Sequence, residues 1–271
     1  MAKYKKKRAR ELQHDKFRDT AGKIFDRVGD RLEGKGRTIL YGLAALLLVA
    51  VLVGLYLRWS SRKSEEARRA LGRAIAIAIS PVAKASPGPG TEAPTYSNEQ
   101  ERAQNAIAEF EKVAAKYGDP YKTQARYFIG ANLLYVDRDK AINELTEVSK
   151  SNVAEAATLA KFALAQTKEE DGKYDEAAKL YSELAAQNND VVTPEIAKLR
   201  LALVYEKQGK KTEAADLLFN IVEASRTAKD ADGTPVPQST AAREAAEKLQ
   251  KLDADRYAKL TPEAPSGNLP F

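Results

Sequence analysis

The chain has 271 residues, enough for one large domain or two small ones, and its 44 Lys/Arg and 38 Asp/Glu residues give a net charge of +6. Residues 1–37 hold 13 basic and 6 acidic residues, whereas residues 58–271 hold 31 and 32, so no nucleic-acid-binding face is expected on the larger part. Cysteine is absent and the one histidine, His14, lies in the basic segment, which excludes disulfides, zinc–thiolate sites, thiol nucleophiles and a His-dependent triad in the larger part.

Residues 1–37 form a basic arm that we expect on the cytoplasmic side of a membrane. Its apolar residues recur at roughly helical spacing; they are Leu12, Phe17, Ile24, Phe25, Val28 and Leu32. The pattern fits a basic amphipathic helix on the membrane surface, and it equally fits a weakly ordered positive tail. Residues 29–36 read GDRLEGKG, but a phosphate-binding loop needs Ser or Thr after the lysine and a preceding strand, so nucleotide binding is not predicted.

Residues 38–57 are twenty residues without a charge, TILYGLAALLLVAVLVGLYL, and predict a transmembrane helix. At about 1.5 Å per residue the helix matches the roughly 30 Å of hydrocarbon in a bilayer. Tyr41, Tyr56 and Trp59 suit its two interfaces. A buried core helix would need a shell of apolar partners that the polar flanks do not supply, and a cleaved signal peptide would have a shorter apolar run followed by a small-residue cleavage site.

Charge placement predicts the orientation of this helix. The fifteen residues on each side contain five Lys/Arg each, so these flanks do not favour either orientation of the helix. More basic residues stand upstream; they are Lys3, Lys5, Lys6, Lys7, Arg8 and Arg10. Basic residues on short segments stay in the cytoplasm, and charge in long translocated domains counts for little. We therefore expect a cytoplasmic N-terminus and an exported C-terminal part.

The remaining chain is predicted to be all-α. Residues 58–80 predict a helix after the membrane span that ends before Pro81, and residues 81–98, with repeated Pro and Gly, predict a linker. Residues 99–260 show no sustained β-branched alternation and predict a helical repeat domain. Residues 261–271, TPEAPSGNLPF, predict a disordered tail.

A three-position pattern repeats within the helical domain. An alanine is followed four positions later by a large residue and seven positions later by an apolar one, which places all three on one helix face. The sets are Ala106, Phe110 and Val113; Ala141, Leu145 and Val148; Ala177, Tyr181 and Leu184; and Ala214, Leu218 and Ile221. Successive alanines are 35, 36 and 37 residues apart, and helices around Ala125, Ala160 and Ala197 precede the last three sets. This period predicts a solenoid of helical hairpins.

These hairpins resemble the tetratricopeptide repeat. Residues 201–218, LALVYEKQGKKTEAADLL, carry a small residue between helices (Ala202), an aromatic (Tyr205), a turn glycine (Gly209) and an alanine in the second helix (Ala214). The stretch GKYDEAAKLY supplies Gly172, Tyr174, Ala177 and Tyr181 in the corresponding places, whereas Val136 stands where the second unit would have its glycine. The resemblance covers residues 99–228 and implies packing roles; residues 239–260 then predict a capping helix.

The order of basic arm, single membrane span and small repeat array is similar to the bacterial family of ancillary Sec-translocon subunits. This resemblance implies a single-pass protein of the bacterial inner membrane with a periplasmic TPR-like domain. Its partners would be the translocon, a chaperone or a secreted polypeptide. The alternative is a self-associating scaffold for cell-envelope assembly or division, in which the chain forms a homo-oligomer.

A repeat array offers an extended surface to a peptide or a partner helix. The first-helix residues expected to line such a groove are Arg126, Asn132, Phe162, Gln166, Arg200 and Leu203. An enzyme is not predicted, because no glycine-rich cradle, metal-ligand spacing or general base is found; the pair Glu169 and Glu170 is interpreted as a solvated charged face. We therefore expect no catalytic residue, cofactor or metal.

Overall fold

The computed structural model describes residues 36–82 and 95–263, without the side chains of residues 36–45, 54–57 and 59–62. The basic arm up to residue 35, the linker residues 83–94 and the tail residues 264–271 lie outside the described residues, so the expectations about them stay predictions. The chain divides into two compact units, Met1–Glu65 and Glu66–Phe271.

In the first unit the described chain is helical. Helix α1 begins at Gly36 and ends, within the second unit, at Ala78. Residues 46–53, in the middle of the predicted membrane span, are all exposed, and their large apolar side chains are 50% to 68% exposed. Eight consecutive residues make more than two helical turns, so apolar side chains face outward in every direction around this stretch.

Among the residues described in full, no helix is long and apolar enough to cross a membrane. Of the predicted span, residues 38–45 and 54–57 lie outside the fully described residues.

The second unit is a succession of helices joined by turns. After α1 they are α2 Glu99–Lys116, α3 Tyr121–Leu133, α4 Arg138–Ser149, α5 Ala154–Glu170, α6 Tyr174–Ala185, α7 Pro194–Lys207, α8 Lys211–Thr227, α9 Thr240–Leu252 and α10 Ala254–Tyr257. From α2 onward each helix packs chiefly on its neighbours in the chain. Extended pairing in the described ranges is limited to two isolated bridges, Val82 with Tyr96 and Lys229 with Pro235. The predicted all-helical hairpin array is confirmed.

Several of these helices begin at an N-cap that the sequence provides. The side chains of Asn98, Asp137 and Ser239 each accept a hydrogen bond from the backbone N–H three residues later. Thr193 does the same for α7 and is followed by Pro194, whose fixed φ suits the first helical position. Local polar residues thus determine where these helices start.

The repeated three-position pattern forms the core of the array. All twelve of its residues are at most 4% exposed, and its four alanines are 0% exposed. An alanine at the crossing point lets two helix backbones approach closely, and the larger residues four and seven positions later fill the space beside it. The predicted packing role of this pattern is confirmed.

Two of the hairpin turns depend on glycine. Gly172 and Gly209 have φ values of 72° and 76°, a left-handed conformation that costs other residues energy. The following N–H groups, of Lys173 and Lys210, donate 2.8 Å and 2.9 Å bonds to carbonyls five residues back, which closes the preceding helix. The α3–α4 turn, which contains Val136, has no residue with positive φ, so it uses a different backbone path.

The end of α1 belongs to the packed array. Leu71 and Ala74 share a buried cluster with Ala106 and Phe110 of α2, and Lys116 Nζ of α2 lies 2.6 Å from the carboxylate of Glu66. Residues 66–78 therefore act as the first helix of a hairpin whose second helix is α2. The sequence analysis starts the array at residue 99 and places this helix outside it.

The core consists of four clusters in series along the chain. The first joins α1, α2 and α3; the second joins α3, α4, α5 and α6; the third joins α5 to α8; the last joins α7 to α10 and Leu260. After α10, Thr261 donates its N–H to Glu223 over 2.9 Å, and its carbonyl accepts a 2.8 Å bond from Arg226. The predicted tail thus starts in contact with α8.

Candidate protein-binding surface

The first helices of the hairpins, α3, α5 and α7, carry a row of half-buried side chains outside the hairpin cores. We call the side of the array formed by these helices and α9 the first-helix surface. The six residues predicted to line a groove all belong to these helices, and the structure gives them different environments. Their proposed contacts with a partner stay predictions.

Arg126 and Asn132, on α3, are already engaged within the array. Arg126 makes two hydrogen bonds to the carboxylate of Glu144 on α4, at 2.6 Å and 3.2 Å, and these bonds raise the pKa of the arginine. Asn132 is 8% exposed, and its amide donates to the carbonyl of Phe128 over 2.8 Å. Arg126 thus links α3 to α4, whereas the bond of Asn132 lies within α3.

Phe162 and Gln166 lie half-buried on α5. The Phe162 ring meets the Tyr181 ring edge-on, with 5.7 Å between centroids, and packs on the core cluster of that hairpin. One side of the ring is therefore structural, while the residue as a whole keeps part of its surface accessible.

Arg200 lines a groove of about 460 Å³ between α7 and α9. Its other lining residues are Thr193, Glu195, Ile196, Leu199, Ser239, Thr240, Ala241 and Glu244. Leu203, one turn further along α7, is half-buried. Apolar side chains from two adjacent first-type helices, with a guanidinium and carboxylates among them, suit a peptide or helix that brings both apolar and charged groups.

The sequence analysis did not name Ile196 and Leu199, which line this groove, although the repeat itself carried the signal; Ile196 is half-buried, and Leu199 is only 4% exposed. A shift of 37 residues relates Ile196 to Leu159, Leu199 to Phe162 and Leu203 to Gln166. Once Phe162 is named, the same shift points to Leu199, which lines the groove but is buried in the last core cluster. Ala241 and Glu244 lie on the capping helix, for which no such spacing was available.

Of the pair Glu169 and Glu170, the exposed Glu170 fits the predicted solvated charged face, whereas Glu169 does not. The Glu169 side chain is only 13% exposed; it accepts a hydrogen bond from the Tyr181 hydroxyl at 3.1 Å and one from Lys207 Nζ at 2.7 Å. Glu170, 66% exposed, pairs with Arg138. Burial, and then the Glu169 charge, raise the pKa of Tyr181. The two carboxylates therefore link hairpins, and the Tyr181 ring is fully buried as its packing role requires.

Within the described ranges, no three His, Cys, Asp or Glu side chains cluster in a way that could hold a metal ion.

Another groove, of about 420 Å³, lies where the start of α7 meets the end of α8, and Ile221, Ala224, Val236 and Pro237 contribute apolar surface to it. The two grooves combine apolar side chains with charged ones, a combination suited to binding another protein.

The chain matches the family model described as Tetratricopeptide repeat over residues 137–191 and 162–229, together 93 of 271 residues. Residues 137–229 are thus tetratricopeptide-like repeats. A crystal structure of kinesin light chain TPR-like repeats from Podosopora anserina is 17% identical, with a TM-score of 0.42 over 56% of this chain and 77% of that one. No curated protein matches the sequence. Arrays of such repeats are typical of proteins that bind other proteins.

Proposed function

We propose that this chain is a membrane-anchored protein of the bacterial envelope whose repeat array binds other polypeptides on the first-helix surface. Residues 38–57 would anchor it as a single span in the inner membrane, with the N-terminus in the cytoplasm and the array in the periplasm. The observation that carries the binding role is the groove between α7 and α9, together with the half-buried apolar residues that precede it along the surface.

The groove supports binding of an apolar anchor next to a charged group. Ile196, Leu199 and Ala241 contribute its apolar lining, and Arg200 and Glu244 contribute charges of opposite sign. A volume of about 460 Å³ lies in the range that binding sites for small side chains or ligands occupy. A helix or extended segment with one apolar side chain in this groove would extend onto Leu203 and the surface of α5.

The exposed residues of α1 support the anchoring role. The large apolar side chains of residues 46–53 stay at least half exposed around the whole circumference of the helix, which is unfavourable in water. Soluble proteins seldom expose an apolar patch of this size. A bilayer would cover them without a shell of protein. The twenty uncharged residues of the sequence supply the length that such a span needs.

The finer part of the proposal concerns the pathway. Similarity of architecture to ancillary subunits of the Sec translocon supports a role in handling secreted proteins near that channel. An array on the exported side of the membrane would meet a polypeptide as it leaves the channel, together with the chaperones that receive it.

Topology is tested first, with alkaline phosphatase fused after residue 263 and, separately, after residue 35. We expect activity from the first fusion only, because the enzyme requires the oxidising periplasm, and we expect the chain to remain in membranes after alkaline extraction. Release by alkaline extraction, or activity from the residue-35 fusion alone, would contradict the anchor or its orientation.

Binding is tested by photocrosslinking from single positions of the full chain in membranes that carry an arrested secretory precursor. A crosslinker replacing Leu203 or Ala241 should form adducts with the precursor or with translocon subunits. The same crosslinker replacing the exposed Ser182 or Lys179 on α6 serves as the matched control. Equal adduct yields from both pairs, or none from the first, would remove the first-helix surface from the proposal.

A further inference from the structure

The groove of about 420 Å³ where α7 and α8 meet keeps part of its apolar lining accessible. In the described part of the chain Val236 is 43% exposed, and Ala224 on α8 is exposed as well. We call this groove, lined by Ile221, Ala224, Val236 and Pro237 among others, the α7–α8 groove. Its apolar side chains are placed to contact a further segment of polypeptide.

The loop between α8 and α9 is held in place where it contributes to this groove. The Asp230 carboxylate accepts hydrogen bonds from the N–H groups of Asp232 and Thr234, at 3.0 Å and 2.9 Å. The Val236 N–H donates to the carbonyl of Ala228 over 3.1 Å. These bonds close the loop onto the end of α8, so the α7–α8 groove is already formed, as binding sites usually are.

The chain after α10 runs along α8 towards this groove. Arg256 donates to the carbonyl of Thr212, in the first turn of α8, over 3.2 Å. Thr261 donates its N–H to Glu223 and accepts a bond from Arg226, in the last two turns of α8. Between these attachments the chain advances from the start of α8 to its end, which is where the α7–α8 groove lies.

Only a short step separates Thr261 from the groove. Asn220 and Ala224 line the groove and are exposed, and they stand three positions before and one position after Glu223, which binds Thr261. Residues three apart on a helix have Cβ atoms about 5–6 Å from each other. The eight residues 264–271 reach up to about 26 Å when extended. They are long enough to cross the exposed side of α8 and enter the groove.

We infer that residues 264–271 bind in the α7–α8 groove, with Leu269 and Phe271 against its apolar lining. These residues read APSGNLPF and carry no charged side chain. The groove is lined by one lysine and one glutamate, Lys198 and Glu195, so its charges balance and suit an uncharged segment. A tethered segment acts at an effective concentration of the order of millimolar, so a weak contact is enough to fill the groove. The inference concerns the second unit alone and does not depend on the proposed anchor.

A second copy of the chain or a partner polypeptide is the less favoured occupant. Either would bind from solution, whereas the tail is attached to the adjoining side of α8 through Thr261. The α7–α8 groove also adjoins the groove between α7 and α9, because Thr193, Glu195 and Ser239 line both. A bound tail would therefore border the surface on which a partner is proposed to bind.

The test measures how fast a maleimide reacts with a single cysteine in the groove, in the full chain in detergent. The chain has no cysteine, so Ala224→Cys introduces one thiol at an exposed lining position. The combined substitution Leu269→Ser and Phe271→Ser keeps the length of the tail and removes its apolar contacts. It should speed alkylation of this thiol at least about threefold, which corresponds to a groove covered about two-thirds of the time in the parent.

Two controls accompany the serine pair. Lys179→Cys places the thiol at an exposed position of α6, outside the groove, where the serine pair should leave the alkylation rate unchanged. The pair Leu269→Met and Phe271→Leu keeps apolar side chains in the tail and should retain the slow alkylation at Ala224→Cys. Far-UV circular dichroism checks that all variants are folded.

The inference is overturned if the serine pair leaves the rate at Ala224→Cys unchanged. In that case, a rate that slows as the concentration of the chain is raised would assign the groove to a second copy. Equal acceleration at Lys179→Cys would show a general loosening of the array, and equal acceleration by the apolar pair would show that apolar contact is not the cause. Either result would also overturn the inference.

Discussion

The second helices of the hairpins, α2, α4, α6 and α8, differ from the first helices α3, α5 and α7 in how regular they are. The second helices repeat one small–large–apolar pattern, and every residue of that pattern is buried. The first helices carry an ion-paired arginine, a phenylalanine and a half-buried arginine, Arg126, Phe162 and Arg200, at three different positions of the repeat. Both helix types pack on their neighbours in the chain, and first helices also pack on one another, α3 on α5, while α7 packs on α9. The second helices repeat their pattern because it lies in the hairpin cores, whereas side chains outside those cores are not held to a period.

The largest effect should come from the regular pattern. Phe110→Ala removes a fully buried ring that stacks on Phe128 at 4.9 Å between centroids, and should lower the free energy of unfolding by about 3–5 kcal/mol. Leu203→Ala, on the half-buried first-helix surface, should cost less than about 1.5 kcal/mol. Urea unfolding of the full chain in detergent, followed by circular dichroism, measures both. Equal losses in the free energy of unfolding for the two variants would contradict the proposed difference between the two helix types.

Tyr181→Phe keeps the ring of the pattern and removes its link to Glu169 on the first helix α5. Losing a hydrogen bond to a charged group should cost about 1.5–3 kcal/mol at neutral pH. The pKa of Tyr181 is raised in the folded chain, so its contribution is fully present below the ordinary tyrosine pKa and is lost as pH rises towards the folded value.

Stability of the parent chain should therefore fall more steeply above about pH 10 than that of Tyr181→Phe. Unfolding midpoints from pH 8 upward measure the difference, and Tyr135→Phe at an exposed position is the control. Parallel pH profiles for parent and variant would show that the hydroxyl ionises equally in both states.

Gly130→Ala tests a close contact between the first helix α3 and the second helix α4. The added Cβ would lie 2.8 Å from Cγ of Leu145, so the variant should be destabilised by about 1–3 kcal/mol through overpacking. Gly72→Ala is the matched helical control, with no neighbour within 4 Å, and should stabilise by up to about 1 kcal/mol because alanine favours helix. A stabilised Gly130→Ala would mean that α3 and α4 have room to separate.

Gly209→Ala tests the turn between the two helix types and should have the smallest effect. Its φ of 76° should cost alanine about 1 kcal/mol. Gly118→Ala, where φ is not positive and space is open, should be neutral within about 0.5 kcal/mol. Thermal unfolding followed by circular dichroism distinguishes them, and a neutral Gly209→Ala would show that the turn can relax to another conformation.

The difference in regularity between the second and the first helices explains which features the sequence could predict. The alanine pattern and the glycine turns were found because packing repeats them at 35–37 residues. The six groove residues share no register: counted from Ala125, Ala160 and Ala197, they stand at positions one and seven, two and six, and three and six. Surface residues are not held to a period, so only the buried anchors could be aligned.

The role of α1 in the array was missed for a related reason. A 35-residue step back from Ala125 points to residue 90, within the Pro/Gly stretch, and not to a helix. The structure instead uses Leu71 and Ala74, because the connection between α1 and α2 is longer than the turns of the other hairpins. An insertion inside one unit hides that unit from a search by period.

The serial order of the four core clusters has a mechanical consequence. Each cluster joins only neighbouring helices, and none contains residues of both α1 and α9. A pulling force applied between the ends of the array would be carried through all four clusters in series. Neighbouring clusters share helices, so the loss of one hairpin would weaken the clusters next to it and leave the distant ones packed.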